Sequence, residues 1–348
     1  MTIAYIIFAH KSPDQLARLI HRLNTSGSVF FVHVNKLTDD ITYQKMVGAV
    51  RNLKNVTFVK RHKITWGRLL FAVNIVISDI VKKKIEFDYM FLLTGQDYPI
   101  KTNDFIEEFL NRNKGKQFIH HFSIPRDPQR DPCEGWSWKN ENGGLDRFEN
   151  WHIRLFDKHY RIPGAGKANS KVKSNIQHLL LRFVPKRKFV VGFKPFGGST
   201  YWCLTKECAE FMNDFIRDNP RFVNYFKYVG LPDEIFFQTI ILNSPFRDSV
   251  INDDLRCTDW SAGGPHPRIW RKEDIEVLKD SKGLIARKFD SEVDSEILDL
   301  IDRKLLEVTP SAKDIEWLAL QPPPIERAQL PVISSAEAEL SETFRQNR

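Results

Sequence analysis

The strongest constraint on the fold is that continuous apolar runs alternate with segments of helical periodicity along the first 120 residues. Ile3–Ala9 is an unbroken apolar run, which is typical of a strand buried on both faces. Pro13–Leu23 then carries apolar residues at helical spacing, with Ser12 as the expected N-cap. Because strand and helix continue to alternate in short units, the sequence predicts an α/β fold with a mostly parallel sheet flanked by helices.

Three polar segments follow predicted strands, and we expect them to lie together. The predicted strands are 3–9, 28–34, 55–59, 87–93 and 118–121, and the predicted helices are 13–23, 40–51, 69–82 and 104–111. The polar segments are AHKS (9–12), VNK (34–36) and TGQDYPIK (94–101). Ligands of open α/β sheets bind outside the carboxyl ends of the strands, so these segments are predicted to share one rim. For TGQDYPIK, a plain turn before a capped helix is the alternative.

The chain is basic, with a formal net charge of +8, and the charge is concentrated in one region. Residues 154–188 contain ten Lys and Arg residues and one acidic residue, Asp157. Such a region favours an anionic partner, for example a nucleotide diphosphate, an acidic glycan or an anionic membrane surface; a solvated loop without a partner is the alternative. The region has few aromatic residues and the chain has no nucleic-acid-binding motif, so nucleic acid is not an expected partner.

The cysteine pattern and the hydropathy of the chain indicate where in the cell the protein is expected. Cys133, Cys203, Cys208 and Cys257 form no CxxC pair and have no histidines at zinc spacing, so neither a zinc site nor a disulfide framework is expected. No run approaches the roughly 20 apolar residues of a membrane span, and the first residues do not resemble a signal peptide. We therefore expect a cytoplasmic protein. Peripheral contact of the 154–188 region with an anionic inner-membrane surface is a further expectation.

The acidic residues indicate chemistry without a metal ion. No aspartate stands two positions from another, so the DxD pair that holds a divalent cation on a nucleotide diphosphate is missing. Arginine and lysine are the available counter-charges. Eight of them lie between residues 256 and 288, and the candidates among these are Arg256, Arg268, Arg271, Lys272, Arg287 and Lys288. No cofactor and no metal ligand are predicted, and His266 has no second ligand at metal-binding spacing.

The segment LPDEIFFQT (231–239) carries a candidate general base. Pro232 favours a helix start, and acidic residues in a first helical turn are stabilised by the helix dipole. Asp233 and Glu234 therefore have two interpretations. They cap the helix, or one of them accepts a proton from a sugar hydroxyl during an inverting transfer.

Two further segments combine aromatic residues with glycine. GGSTYW (197–202) and CTDWSAGGPHPR (257–268) could place aromatic faces against sugar rings. For GGSTYW the alternative is a strand with a glycine bulge. The predicted acceptor- or sugar-binding residues are Asp97, Thr200, Tyr201, Trp202, Asp233 and Trp260.

Taken in order, these segments resemble the core-2/I-branching β-1,6-N-acetylglucosaminyltransferase family, which is glycosyltransferase family 14 and also contains the peptide xylosyltransferases. The matching motifs between residues 5 and 290 are YIIFAHK, FVHVNK, ITWGR, FLLTGQDYPIK, GGSTYW, LPDEIFFQT, LRCTDW and IARKFD. The resemblance implies a GT-A-type fold and inverting, metal-independent transfer from a UDP-sugar. GlcNAc is the expected sugar and xylose the alternative.

The resemblance also implies roles for individual residues. Glu234 is implied as the catalytic base, and Lys288 as a residue that holds the diphosphate. A second basic residue shares that role, with Arg268 as the first choice and Arg256 as the second. The positions implied to contact the base and ribose are His10, Asn35 and Trp66.

Two departures from the family pattern qualify the resemblance. Asn35 replaces an aspartate of the family, which weakens a charge-assisted contact to uracil or ribose, and Thr200 replaces an aspartate of the xylosyltransferases, which argues against peptide xylosylation. The animal members carry an N-terminal anchor and several disulfides, so this chain is expected to be a short bacterial-type member. Its expected acceptor is a surface polysaccharide or lipid-linked oligosaccharide. The alternatives are an inactive sugar- or nucleotide-binding relative and, with less support, a basic nucleic-acid-binding protein.

The expected domain organisation is one catalytic domain followed by a tail. Residues 1–308 are predicted to form the domain, with a nucleotide-binding half (1–122), a variable basic loop region (123–190) and an acceptor-binding and catalytic half (191–308). Residues 309–348 are Pro-rich and then polar, without a core-forming pattern, which predicts a disordered tail.

Overall fold

The structure is a computed structural model that describes residues 1–65, 67–127, 138–155, 158–162, 184–185, 187–264 and 266–307. Trp66, most of the basic region 154–188 and the predicted tail 309–348 lie outside the described residues. The predictions made for them stay predictions.

The described part of the chain contains twelve strands. They are β1 (Ile3–Ala9), β2 (Ser28–Val34), β3 (Val56–Phe58), β4 (Tyr89–Thr94), β5 (Asp97–Pro99), β6 (Gln117–Ser123), β7 (Trp151–Leu155), β8 (Lys158–Ile162), β9 (Phe196–Thr205), β10 (Val250–Ile251), β11 (Arg256–Thr258) and β12 (Ile285–Arg287). The boundaries predicted for the first two strands agree with the structure.

The helices lie between and after these strands. The α-helices are α1 (Pro13–Leu23), α2 (Asp40–Ala49), α3 (Leu69–Lys82), α4 (Asn103–Arg112), α5 (Leu145–Glu149), α6 (Lys206–Asp218), α7 (Pro220–Phe226), α8 (Phe236–Leu242), α9 (Ile275–Asp280) and α10 (Glu296–Ile301). Short 3-10 helices cover Lys139–Gly144, Pro232–Glu234, Arg247–Ser249 and Lys272–Asp274, and a π-helical turn covers Asp302–Leu306. None of the helices in the described ranges is long and apolar enough to cross a membrane.

The main sheet is mostly parallel, as predicted. In the described residues its strand order is β10-β6-β9-β4-β1-β2-β3, and β1 pairs in parallel with both β2 and β4. The exception is β9, which runs antiparallel to β4 and β6. A smaller sheet has the order β11-β12-β5. This α/β architecture fits the GT-A-type fold that the resemblance implies.

The apolar run of β1 is explained by burial on both faces. Ile3, Tyr5 and Ile7 pack in a cluster with residues of α1 and α4, whereas Ala4 and Ile6 pack in a second cluster with residues of α3, α6 and α8. Successive side chains of a strand point to opposite faces, so a strand covered on both sides needs an apolar residue at every position.

α1 starts at Pro13 with Ser12 at the N-cap position, as predicted, but Ser12 does not cap the helix through its side chain. Ser12 has a φ of 54°, in the left-handed region, and its side chain makes no capping hydrogen bond. Pro13 occupies the first helical position, where a missing N–H costs nothing. The prediction of Ser12 as a side-chain cap was therefore wrong.

The glycine pair of β9 has a steric reason. The register of β6 against β9 shifts between Ile119 and His121, opposite Gly198. A Cβ at Gly198 would lie 1.9 Å from the carbonyl oxygen of His120. The interpretation of this segment as a strand with a glycine bulge is confirmed.

We expect Gly198→Ala to destabilise the protein by about 1–3 kcal/mol, because the added methyl group forces the two strands apart. Gly48→Ala is the matched control. Gly48 lies exposed in α2, and a Cβ added there would meet open space, so alanine should stabilise the protein by about 0.5–1 kcal/mol. Chemical denaturation of both variants measures the two changes. A Gly198→Ala midpoint equal to that of the wild type would contradict the steric argument.

Candidate functional site

A cavity of about 670 Å³ lies at the carboxyl ends of β1, β2 and β4. Because these strands are parallel neighbours, the three polar segments that follow them meet at one edge, and His10, Asn35 and Gln96 all line the cavity. The prediction of a shared rim is confirmed. The cavity brings together nine of the predicted site residues: His10, Asn35, Thr200, Tyr201, Asp233, Glu234, Arg256, Trp260 and Lys288.

Glu234 lies at the end of a tight turn and is paired with an arginine. The segment predicted as a helix from Pro232 is a single 3-10 turn over Pro232–Glu234, and α8 begins only at Phe236. The Glu234 side chain is 21% exposed, and its Oε2 accepts a hydrogen bond from Nη1 of Arg147. No described residue donates to its Oε1, so that oxygen is available to a ligand.

Arg147 is itself held from two further sides. It donates to Glu141, and its guanidinium lies 3.6 Å from the centroid of a Trp138 ring. Burial alone would lower the pKa of Arg147, but the charges of Glu234 and Glu141 outweigh burial and the pKa is raised. Arg147 is therefore a fixed cation that orients the Glu234 carboxylate.

Asp233 ties the same turn to a neighbouring helix. Its two carboxylate oxygens accept hydrogen bonds from the backbone N–H groups of Leu69 (3.0 Å) and Leu70 (2.9 Å), at the start of α3. Burial raises the pKa of Asp233 to about 6, although these backbone bonds oppose the rise. Asp233 thus caps α3 rather than its own helix. It lines the cavity with both oxygens already engaged.

Positive charge is supplied by two arginines of the small sheet, Arg287 and Arg256. Nη1 of Arg287 lies 2.9 Å from Oδ1 of Asp97, and the guanidinium of Arg256 donates to the carbonyl oxygen of Leu92 and lies 3.9 Å from Oδ2 of Asp97. Both guanidinium groups stand over the ring of Tyr201, at 5.0 and 4.4 Å from its centroid. These contacts build a rigid cationic wall.

Lys288 adds a charge that is not compensated within this wall. Burial and the charges of Arg287 and Lys11 lower the pKa of Lys288, while Asp290 opposes them. Among the described residues, no carboxylate lies within ion-pair distance of its ammonium group. An anion in the cavity would relieve this excess of positive charge.

Asn35 and His10, two of the residues implied to contact the nucleotide, both line the cavity. The side-chain amide of Asn35 donates to the carbonyl oxygen of Ile64 (2.8 Å), and its Oδ1 accepts from the N–H of Leu37 (3.1 Å) and of Ile64. Asn35 therefore holds the 62–65 segment against β2. Partial burial of the His10 ring, together with the charges of Lys11 and Lys288, lowers its pKa and favours the neutral imidazole.

Two residues predicted to contact the acceptor do not reach the cavity. Asp97 has no exposed surface and is occupied by Arg287 and Arg256. Trp202 is fully buried on the opposite face of β9 from Tyr201 and packs against Phe237. The structure thus corrects the predicted acceptor contacts of Asp97 and Trp202, because neither side chain is accessible.

Arg268, the first choice for the diphosphate, is engaged elsewhere. Its guanidinium forms ion pairs with Asp259 (2.6 Å) and Asp274 (2.8 Å), and it does not line the cavity. Arg256, the second choice, does line the cavity, and so does Arg287. The adjacent basic residues of IARKFD were a signal for Arg287. Asp254 and His266 also line the cavity, without a signal that separates them from other polar residues.

In the described part of the chain, no three His, Cys, Asp or Glu side chains are grouped so as to hold a metal ion. Its cysteines Cys203, Cys208 and Cys257 are free thiols.

Comparison with known proteins gives one matching family and several relatives. The family described as Core-2/I-Branching enzyme matches residues 3–138 and 147–280. Xylosyltransferase 2 of Rattus norvegicus is 26% identical over 324 residues, which covers 86% of this chain and 33% of the relative. Xylosyltransferase 1 of Homo sapiens is 24% identical over 323 residues, covering 86% of this chain and 30% of the relative. The chain thus spans about a third of the length of these relatives.

Proposed function

Because this chain belongs to the Core-2/I-branching enzyme family, we propose that it transfers a sugar from a UDP-sugar to a hydroxyl group of a glycan acceptor, with inversion and without a metal ion. GlcNAc is the donor sugar we expect. Xylose is the alternative, which the names of the similar xylosyltransferases favour and Thr200 disfavours.

The observation that carries the proposal is the pairing of an accessible carboxylate with a cationic wall in one cavity. Glu234 lines this cavity together with Arg287 and Lys288. In the transfer, Glu234 accepts the proton of the acceptor hydroxyl through Oε1 while the hydroxyl oxygen attacks the anomeric carbon. The bond from that carbon to the UDP oxygen breaks on the opposite face, and the developing diphosphate charge is stabilised by Arg287 and Lys288.

The donor and the role of metal are tested together. We expect the purified protein to release UDP from one member of a panel of UDP-sugars, and to do so equally with and without EDTA, because arginine and lysine neutralise the diphosphate. UDP release is the measurement. Loss of activity in EDTA with recovery on adding Mn²⁺ or Mg²⁺ would contradict the metal-free mechanism. Binding of UDP without release from any donor would support an inactive relative.

Glu234→Gln tests the base. We expect a loss of kcat of about 10²–10⁴-fold, since the amide cannot accept the proton, with the Kd for UDP unchanged. Steady-state kinetics and UDP titration give the two numbers. Glu108→Gln, an exposed glutamate of α4, is the matched control and should retain wild-type kcat. Undiminished kcat in Glu234→Gln would remove Glu234 from this role.

Lys288→Gln and Arg268→Gln compare two cations that the sequence alone treats alike. Lys288→Gln should weaken UDP binding by about 10–100-fold, as expected for loss of a charge-assisted contact of about 1.5–3 kcal/mol. Arg268→Gln should leave the Kd for UDP within about twofold, because its guanidinium is engaged by Asp259 and Asp274. Calorimetric titration measures both. The reverse order of effects would restore Arg268 as the diphosphate residue.

A further inference from the structure

Asp254 is a carboxylate at the cavity to which the proposed transfer gives no role. Three carboxylates of the described residues line this main cavity of about 670 Å³, those of Asp233, Glu234 and Asp254. Both oxygens of Asp233 accept backbone hydrogen bonds, and Oε2 of Glu234 accepts from Arg147. In the described part of the chain Asp254 forms no ion pair. Its charge is therefore open to a ligand.

The turn that carries Asp254 engages one carboxylate oxygen and leaves the other open. Oδ1 of Asp254 accepts from the N–H of Arg256 at 3.2 Å, and the Asp254 carbonyl oxygen accepts from Nη1 of Arg256 at 3.0 Å. The guanidinium of Arg256 is otherwise directed to the carbonyl oxygen of Leu92 and to Asp97. No described residue donates to Oδ2 of Asp254. Because Asp254 is half-buried, a ligand that donates a hydrogen bond to Oδ2 stabilises it.

The sheet places Asp254 at the opposite end of the cavity from the nucleotide residues. His10 and Asn35 follow β1 and β2, whereas Asp254 follows β10, which lies at the other end of the strand order β10-β6-β9-β4-β1-β2-β3. Neighbouring strands lie about 4.8 Å apart, which separates β10 from β1 by ~19 Å. His120 of β6 lines the cavity at the same end, and the charge of Asp254 opposes the lowering of its pKa by burial. A uracil and ribose held by His10 and Asn35 therefore do not reach Asp254.

The cationic wall indicates which group of the donor lies beside Asp254. Asp254 is two residues before Arg256 of β11, and β11 pairs with β12, which carries Arg287. In the proposed transfer the diphosphate lies at Arg287 and Lys288, and the acceptor hydroxyl lies at Glu234. The sugar that is bonded to the diphosphate lies between these two sides. A side chain next to the wall and away from the nucleotide residues therefore faces the transferred sugar.

We propose that the carboxylate of Asp254 accepts hydrogen bonds from hydroxyl groups of the transferred sugar and is a specificity-determining residue for the donor. The inference rests on the proposed function, because the sugar reaches Asp254 only when its diphosphate lies at the cationic wall. Oδ2 is the accepting atom, since Oδ1 is engaged by the N–H of Arg256. A donor without the contacting hydroxyl leaves this oxygen unsatisfied and binds more weakly.

Asp254→Asn isolates this contact. The amide oxygen can still accept from the N–H of Arg256, whereas the amide nitrogen in place of Oδ2 cannot accept from a hydroxyl. UDP, UDP-GlcNAc, UDP-glucose and UDP-xylose are titrated calorimetrically into the wild type and the variant. We expect the UDP-sugar that the wild type binds most tightly to bind the variant about 10–100-fold more weakly, with the Kd for UDP within about twofold.

Asp214→Asn is the matched control. It removes the same charge from α6, where the Asp214 side chain is 55% exposed, and it should change neither Kd. If Asp254→Asn weakened UDP and the UDP-sugar equally, the contact would lie on the nucleotide or the wall, and the proposal would be overturned. An unchanged Kd for the UDP-sugar would also overturn it.

Deoxygenated donors locate the contact and include a measurement on the wild-type protein alone. Analogues of the preferred UDP-sugar, each lacking one ring hydroxyl group, are titrated in the same way. At least one should bind the wild type about tenfold or more weakly than the parent donor. In Asp254→Asn the same analogue should bind within about twofold of the parent, because the contact is already lost. Equal affinity of all analogues in the wild type would overturn the proposal even if the variant failed to fold, and so would a loss that persisted in Asp254→Asn.

The wild-type titrations separate failure of this inference from failure of the proposed function. A wild-type protein that binds UDP but none of the UDP-sugars overturns the proposed function, and the inference falls with it. Binding of a UDP-sugar that is insensitive to Asp254→Asn and to each deoxygenation overturns this inference alone.

Discussion

The geometry of the main cavity depends on the buried carboxylate of Asp97. With no exposed surface, this carboxylate would be costly without partners, and it accepts from the N–H of Thr94 at 2.8 Å and from Arg287 at 2.9 Å, with Arg256 at 3.9 Å. The two arginines belong to the small sheet, whereas Thr94 ends a strand of the main sheet. The ion pairs therefore lie within the small sheet, to which Asp97 also belongs, and the hydrogen bonds of Asp97 to Thr94 and of Arg256 to the carbonyl oxygen of Leu92 join that sheet to the main one. Because both guanidinium groups also lie over Tyr201, β9 is held in the same arrangement.

On the opposite side of the cavity, a charged side chain is again held by a buried partner of opposite charge. Glu234 is held by Arg147, and the turn that carries it is anchored when Asp233 accepts two backbone hydrogen bonds from α3. In both places the charge that faces the cavity is positioned by a partner that is almost wholly buried. Preorganised charges of this kind need little rearrangement when a diphosphate charge develops, which is why such walls suit group transfer.

The fold of the first 120 residues could be predicted because its signals are local. Apolar runs and helical periodicity are read from neighbouring residues, and parallel strand order then brings the rim together. The failures at Asp97 and Arg268 both come from ion pairs. Asp97 pairs with arginines distant in sequence, which only tertiary packing brings to it, whereas Arg268 pairs with two aspartates nine and six residues away that the sequence analysis did not weigh. Trp202 is different, because adjacent residues of a strand face opposite sides and Tyr201 and Trp202 could not both have faced the cavity. Strand periodicity was a signal that sequence reasoning missed.

Arg147 constrains how Glu234 acts. An arginine stays protonated at any working pH, so the attraction between Arg147 and Oε2 of Glu234 is permanent in the empty protein. That attraction fixes the orientation of the carboxylate, with Oε2 turned to Arg147. Arg147 is in turn held by Glu141 and by the ring of Trp138, so the orientation of Glu234 depends on the 138–147 segment, which lies far from it in sequence.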